Sequence, residues 1–116
     1  MHNFYETIMQ TAEEGENSSQ RYRNVCEGIT KIQCTRPVGC IEKKNGILVV
    51  LGNAVFCYVE VEDEFYRIST TYKECVQMSK TLWEIEGEIV SCYKDMPDEC
   101  IGEVERLVQC VEKELF

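Results

Sequence analysis

Apolar residues recur at helical spacing along most of this chain. After Ser18 and Ser19, either of which suits a helix N-cap, Tyr22, Val25, Cys26, Ile29 and Ile32 follow at three- and four-residue steps, which predicts a first helix ending before Pro37. Gly28 inside it costs about 1 kcal/mol relative to alanine. Residues 36–46, with Pro37, Gly39 and Asn45-Gly46, read as a loop held down by Cys40. From Ile47 onward the pattern supports two readings. Ile47, Val50, Ala54, Cys57, Val61, Phe65, Ile68 and Tyr72 form a continuous helical stripe, whereas the β-branched run 47–61 broken by Gly52-Asn53 reads as a hairpin. The longer stripe favours helix, with the hairpin as the alternative. Cys75, Met78, Leu82, Ile85, Ile89 and Cys92 predict a third helix. Pro97, Asp98 and Glu99 open a fourth, whose face runs through Ile101, Val104, Leu107, Val108, Val111 and Leu115.

The expected fold is therefore an all-α, disulfide-stapled bundle of about four helices over residues 18–116, the alternative being α+β with a hairpin in 47–61. Residues 1–17 carry four glutamates, no cation and no sustained apolar period, so they read as a flexible acidic tail whose removal changes stability little. They also lack the apolar stretch of a secretory signal, and the chain reads as a mature form. Asn17-Ser18-Ser19 is a candidate glycosylation site.

Eight cysteines, Cys26, Cys34, Cys40, Cys57, Cys75, Cys92, Cys100 and Cys110, in 116 residues suit disulfides and an extracellular, secreted setting. A zinc site is disfavoured, because the cysteines are not closely paired and the sole histidine is His2. Eight cysteines allow about a hundred pairings. Their nearly palindromic spacing suits one nested set, Cys26–Cys110, Cys34–Cys100, Cys40–Cys92 and Cys57–Cys75, which would lay a basic first helix beside an acidic last one.

With 21 acidic and 12 basic residues the net charge is −9, which argues against nucleic acid or an anionic membrane and leaves a basic or neutral partner. No stretch is long enough to span a bilayer. The lone histidine leaves no Ser-His or Cys-His constellation, and the clusters Glu60, Glu62, Asp63, Glu64 and Asp95, Asp98, Glu99 read as a solvated face and a helix start rather than a catalytic pair. No enzyme activity, metal or cofactor is expected.

The order C-x7-C-x5-C-x16-C in Cys26, Cys34, Cys40 and Cys57, the acidic-aromatic stretch to Cys75, and Cys92-Tyr93-Lys94-Asp95 resemble the eight-cysteine secreted domain of unknown function expanded in nematodes. The likeness covers residues 22–110 of a chain shorter than that family's usual domain. It implies a mostly helical extracellular domain with no assigned activity; small helical salivary or venom proteins of arthropods are the competing resemblance. The expected function is a secreted interaction protein that binds an extracellular protein or receptor, with a carrier of a small apolar ligand or lipid between helices as the alternative. A second apolar stripe through Phe56, Val59 and Tyr66, with Trp83 at its edge, is the candidate binding face.

Overall fold

The structure, a computed structural model, describes residues 4–15, 19–76 and 81–115. It is α+β. Helix α1 (Phe4–Thr11) and helix α2 (Gln20–Thr30) precede four strands, β1 (Val38–Lys43), β2 (Gly46–Leu51), β3 (Ala54–Val61) and β4 (Tyr66–Thr70). A 3₁₀ turn at Lys73–Cys75, the hairpin β5 (Glu84–Glu86) and β6 (Ile89–Lys94), and the long helix α3 (Pro97–Leu115) complete it. The strands form one antiparallel sheet in the order β1-β2-β3-β4-β6-β5.

The expected bundle is thus corrected in its middle. Ile47, Val49, Val50, Val55, Val59 and Val61 are β-branched and lose side-chain freedom in a helix but pack well on a pleated surface. The chain reverses at Gly52-Asn53, where Leu51 pairs with Ala54 and Gly52 takes φ +62°, a left-handed conformation open to glycine. The hairpin alternative is the correct one. The same device overturns the expected third helix: Gly87, at φ +63°, turns β5 into β6 with Glu86 paired to Ile89. Met78 of that stripe lies outside the described residues. The expected 36–46 loop is largely β1.

The end helices are where the sequence places them. The Ser19 hydroxyl accepts a hydrogen bond from the Tyr22 N–H at 3.2 Å and caps α2. Pro97 opens α3, with Asp98 and Glu99 in its first turn. The two helices lie side by side on one face of the sheet, and Gly28 is where they meet, since a Cβ there would run into Ile101. Val25 and Ile29 of α2, Val104, Leu107, Val108 and Val111 of α3, and the inward row Ile47, Val59, Ile68 and Cys92 form the main core.

The opposite face is covered only in part, by α1. Tyr5, with Phe4 and Ile8 beside it, packs on Leu48 and Tyr58. The Tyr5 hydroxyl donates to the Phe56 carbonyl at 2.6 Å and accepts from the Thr71 N–H at 3.1 Å. The buried Lys43 ammonium donates to the Met9 carbonyl and is ion-paired with Glu14, while the Lys44 N–H donates to the Glu13 carbonyl at 2.8 Å. Residues 4–15 are therefore docked, contrary to the expected acidic tail. Their apolar residues sit one turn apart in a short helix, too short a run to stand out in the sequence. Asn17 lies outside the described residues. No helix among those described is long and apolar enough to cross a membrane.

Candidate functional site

Phe56, Val59, Tyr66 and Trp83, expected to present a binding face, are buried, at 0, 0, 0 and 5% exposure. The reason is strand alternation. Val59 and Tyr66 point to the helix-covered side, and Phe56 joins them because the register slips between Val49 and Val50, leaving Phe56 without a partner on β2. Its carbonyl is satisfied by Tyr5 and by the Thr70 hydroxyl at 2.7 Å. The sheet face left partly uncovered is the other one.

On that face α1 stops short of β4, β6 and β5, and a groove of about 420 Å³ runs between them. Alternation along β3 sends Cys57, Val59 and Val61 inward and Tyr58 and Glu60 outward. The register sets Tyr58 beside Ser69 and Glu60 beside Arg67, then Ser69 beside Ser91 and Arg67 beside Tyr93. The floor is accordingly polar. Glu60 and Arg67 are paired at 3.7 Å, the Ser69 and Ser91 hydroxyls are 2.8 Å apart, and Arg67 lies 5.8 Å from the centre of the Tyr93 ring. The Arg67 Nε is buried with no hydrogen-bond partner. Phe4, Ile8 and Ala12 form one apolar wall and Ile89 contributes apolar surface opposite, beside Glu86. Burial, then Glu60 and Glu62, push the Tyr58 hydroxyl up to about 12, so it stays a neutral donor at physiological pH.

Away from the groove, Glu103 at the inner face is 3% exposed. It accepts from Arg106 and from the Thr81 hydroxyl, each at 2.8 Å, and lies 3.5 Å from the Lys94 ammonium. Burial alone would push its carboxyl up, but the Arg106 and Thr81 hydrogen bonds and the charges of Arg106 and Lys94 outweigh it and hold the carboxyl below its usual range. Glu112 is also held low, by hydrogen bonds from Cys34 and Thr35. A general acid needs the opposite shift.

The cysteines divide into one bridge and six thiols. Cys75 and Cys110 are joined, with Cα atoms 5.5 Å apart. That bond rules out the Cys26–Cys110 and Cys57–Cys75 members of the nested set: the set assumed two facing helices, whereas Cys75 sits on a 3₁₀ turn under the end of α3. Cys57, Cys92 and Cys100 are buried, and Cys26, Cys34 and Cys40 are half-buried. Burial pushes Cys40 and Cys92 up to about 12 and Cys57 well above its ordinary value, which leaves them protonated and poorly nucleophilic. No group of side chains with the makings of a metal site occurs among the described residues.

Sequence reasoning missed the groove because its residues come from four segments that only the sheet order brings together. The alternation Val59-Glu60-Val61 was the local signal for an outward position. The sequence matches no family model, no curated protein and no solved structure.

Proposed function

We propose that this chain is a secreted, non-enzymatic binding protein that receives a segment of an extracellular protein in the groove between α1 and the outer face of the sheet. The observation that carries the reading is the groove itself, about 420 Å³ of space with an apolar wall facing a polar strand surface. Such a site matches a peptide with one large apolar side chain, seated against Phe4, Ile8 and Ile89, and a neighbouring basic group toward Glu86 and Glu60. The net charge of −9 draws a basic segment in the same direction. Eight cysteines and the Cys75–Cys110 bridge support an oxidising, extracellular setting. Glu103 and Glu112 carboxyls held below their usual range, and the protonated buried thiols of Cys57 and Cys92, favour binding over catalysis.

A peptide library with varied charge and apolar content, read by amide chemical shifts of the full chain, tests this. Binders are expected to combine a large apolar residue with lysine or arginine and to move the signals of Ser69, Ile89 and Glu86. Glu86→Lys should weaken them about tenfold, the equivalent of about 1.4 kcal/mol. Binders indifferent to Glu86→Lys and Ile89→Ser, or shifts confined to another surface, refute it. The volume also falls in the range of small-molecule pockets, so a small amphipathic ligand is the second reading. A bound small molecule seen by native mass spectrometry and lost in Ile89→Ser would select that one.

A further inference from the structure

Three of the unpaired cysteines project from the inner face of the sheet: Cys40 on β1, Cys57 on β3 and Cys92 on β6. Cys40 and Cys57 share one row, each facing Val49 on β2. Two interstrand spacings of about 4.8 Å put their Cα atoms about 9.6 Å apart, beyond the roughly 7 Å that a disulfide tolerates. Cys57 and Cys92 are separated by β4 and further offset, because Cys92 faces Ile68 and Ile68 faces Val59. Cysteines of the sheet therefore cannot pair among themselves, and each needs a partner from the layer above.

Above β1 that layer is α2. The Cys26 thiol donates to Glu42 Oε1 at 3.6 Å, and its nearness, after burial, helps push the Cys40 thiol up. Cys40 and Glu42 are two residues apart on one strand and point the same way. The Glu42 contact thus places Cys26 on the face of β1 that also carries Cys40, and Cys110, the partner expected from the spacing, is occupied by Cys75.

We propose that Cys26 and Cys40 close a second disulfide, which fastens α2 to the edge strand β1. Its oxidant is a disulfide of the surroundings, either a small-molecule disulfide or the active-site disulfide of an oxidoreductase. Cys26 gives up its proton and attacks one sulfur of that disulfide, whose S–S bond breaks. One thiolate departs with the electron pair and takes a proton. Cys40 then loses its proton and attacks the Cys26 sulfur, expelling the second thiolate, which is protonated in turn. Two cysteine thiols are oxidised to one disulfide as one disulfide is reduced to two thiols. Burial of Cys40 makes the second step slow for a free thiolate, but the Glu42 contact, which holds Cys26 over the same face of β1, supplies the proximity. β1 pairs with β2 alone and is otherwise held by α2 and by the Glu14–Lys43 bridge, so the bond secures the edge of the sheet. The inference is independent of the groove.

The test uses the full chain, reduced, refolded in a glutathione redox buffer, alkylated and digested with trypsin without reduction. Cys26 falls in the peptide 24–31 and Cys40 in 32–43, together with Cys34. The expected product is 24–31 joined to 32–43, with fragmentation placing the bond on Cys40, and the same crosslink in Cys34→Ser. Recovery of alkylated Cys26, a bond located on Cys34, or Cys26 joined to any other peptide overturns the proposal.

Discussion

Tyr5→Phe is the most direct probe of whether α1 belongs to the folded unit. The ring stays, and with it most of the packing on Leu48 and Tyr58. What is lost is one hydroxyl that donates to the Phe56 carbonyl at 2.6 Å and accepts from the Thr71 N–H at 3.1 Å. The carbonyl keeps the Thr70 hydroxyl, whereas the Thr71 N–H loses its partner at a half-buried position. At about 0.5–1.5 kcal/mol for each net hydrogen bond, the variant loses about 1–3 kcal/mol. For a chain of this size, unfolding entropy converts each kcal/mol into about 4 °C, so the melting temperature falls by about 4–12 °C. Tyr5→Ala removes the aromatic packing as well and costs about 3–5 kcal/mol. Thermal unfolding followed by circular dichroism reads both, and amide exchange at Thr71 reads the broken bond directly. A Tyr5→Phe protein that melts within 1 °C of the parent (about 0.3 kcal/mol), with Thr71 exchange unchanged, refutes the docking of α1. It would restore the expectation that the N-terminal segment is dispensable.

Glu103→Gln leaves Lys94 and Arg106 facing each other without their carboxylate. The expected loss is about 1–3 kcal/mol, less than the roughly 3–5 for a fully buried pair because Arg106 remains 45% exposed. Since the folded state holds Glu103 below its ordinary value of 4.5, its contribution is present above that pH and is lost as pH falls through the depressed value. Denaturant midpoints against pH should show a flatter acid limb in the variant, and identical limbs would sink the assignment. At the alkaline end, burial raises Tyr58 from 10.0 to about 12, so its contribution is complete below pH 10 and disappears as pH rises toward 12. Tyr58→Phe should flatten that limb by about 2–3 kcal/mol, and an unchanged alkaline limb would show that the hydroxyl is solvated.

Both end helices were legible in the sequence because their signals are local. Ser19 caps α2 through a backbone N–H three residues away, and Pro97, Asp98 and Glu99 start α3 through fixed φ and the helix dipole. Their buried faces then repeat every three to four residues, and one side of each meets the core. Local sequence also contained the β2–β3 hairpin, in Gly52-Asn53 and the β-branched residues around it. Its misreading as helix has a physical cause. These strands bury residues on both sides, under α2 and α3 within and in part under α1 without, so polar residues seldom interrupt the run to mark a period of two. A run so dense in apolar residues satisfies a three-four spacing as readily as any other.

Composition alone determined the acidic charge and the cysteine richness. Only tertiary structure decided which cysteines meet, because Cys75 and Cys110 are 35 residues apart and their approach depends on where α3 crosses the 3₁₀ turn. The groove has the same origin. Tyr58, Ser69 and Ser91 become neighbours through strand order, and the apolar wall from Phe4 and Ile8 exists because the Tyr5 hydroxyl finds Phe56 and Thr71, 51 and 66 residues away. Pairings between such distant residues are chosen by the burial and hydrogen bonding of the whole chain at once, which no window of the sequence contains.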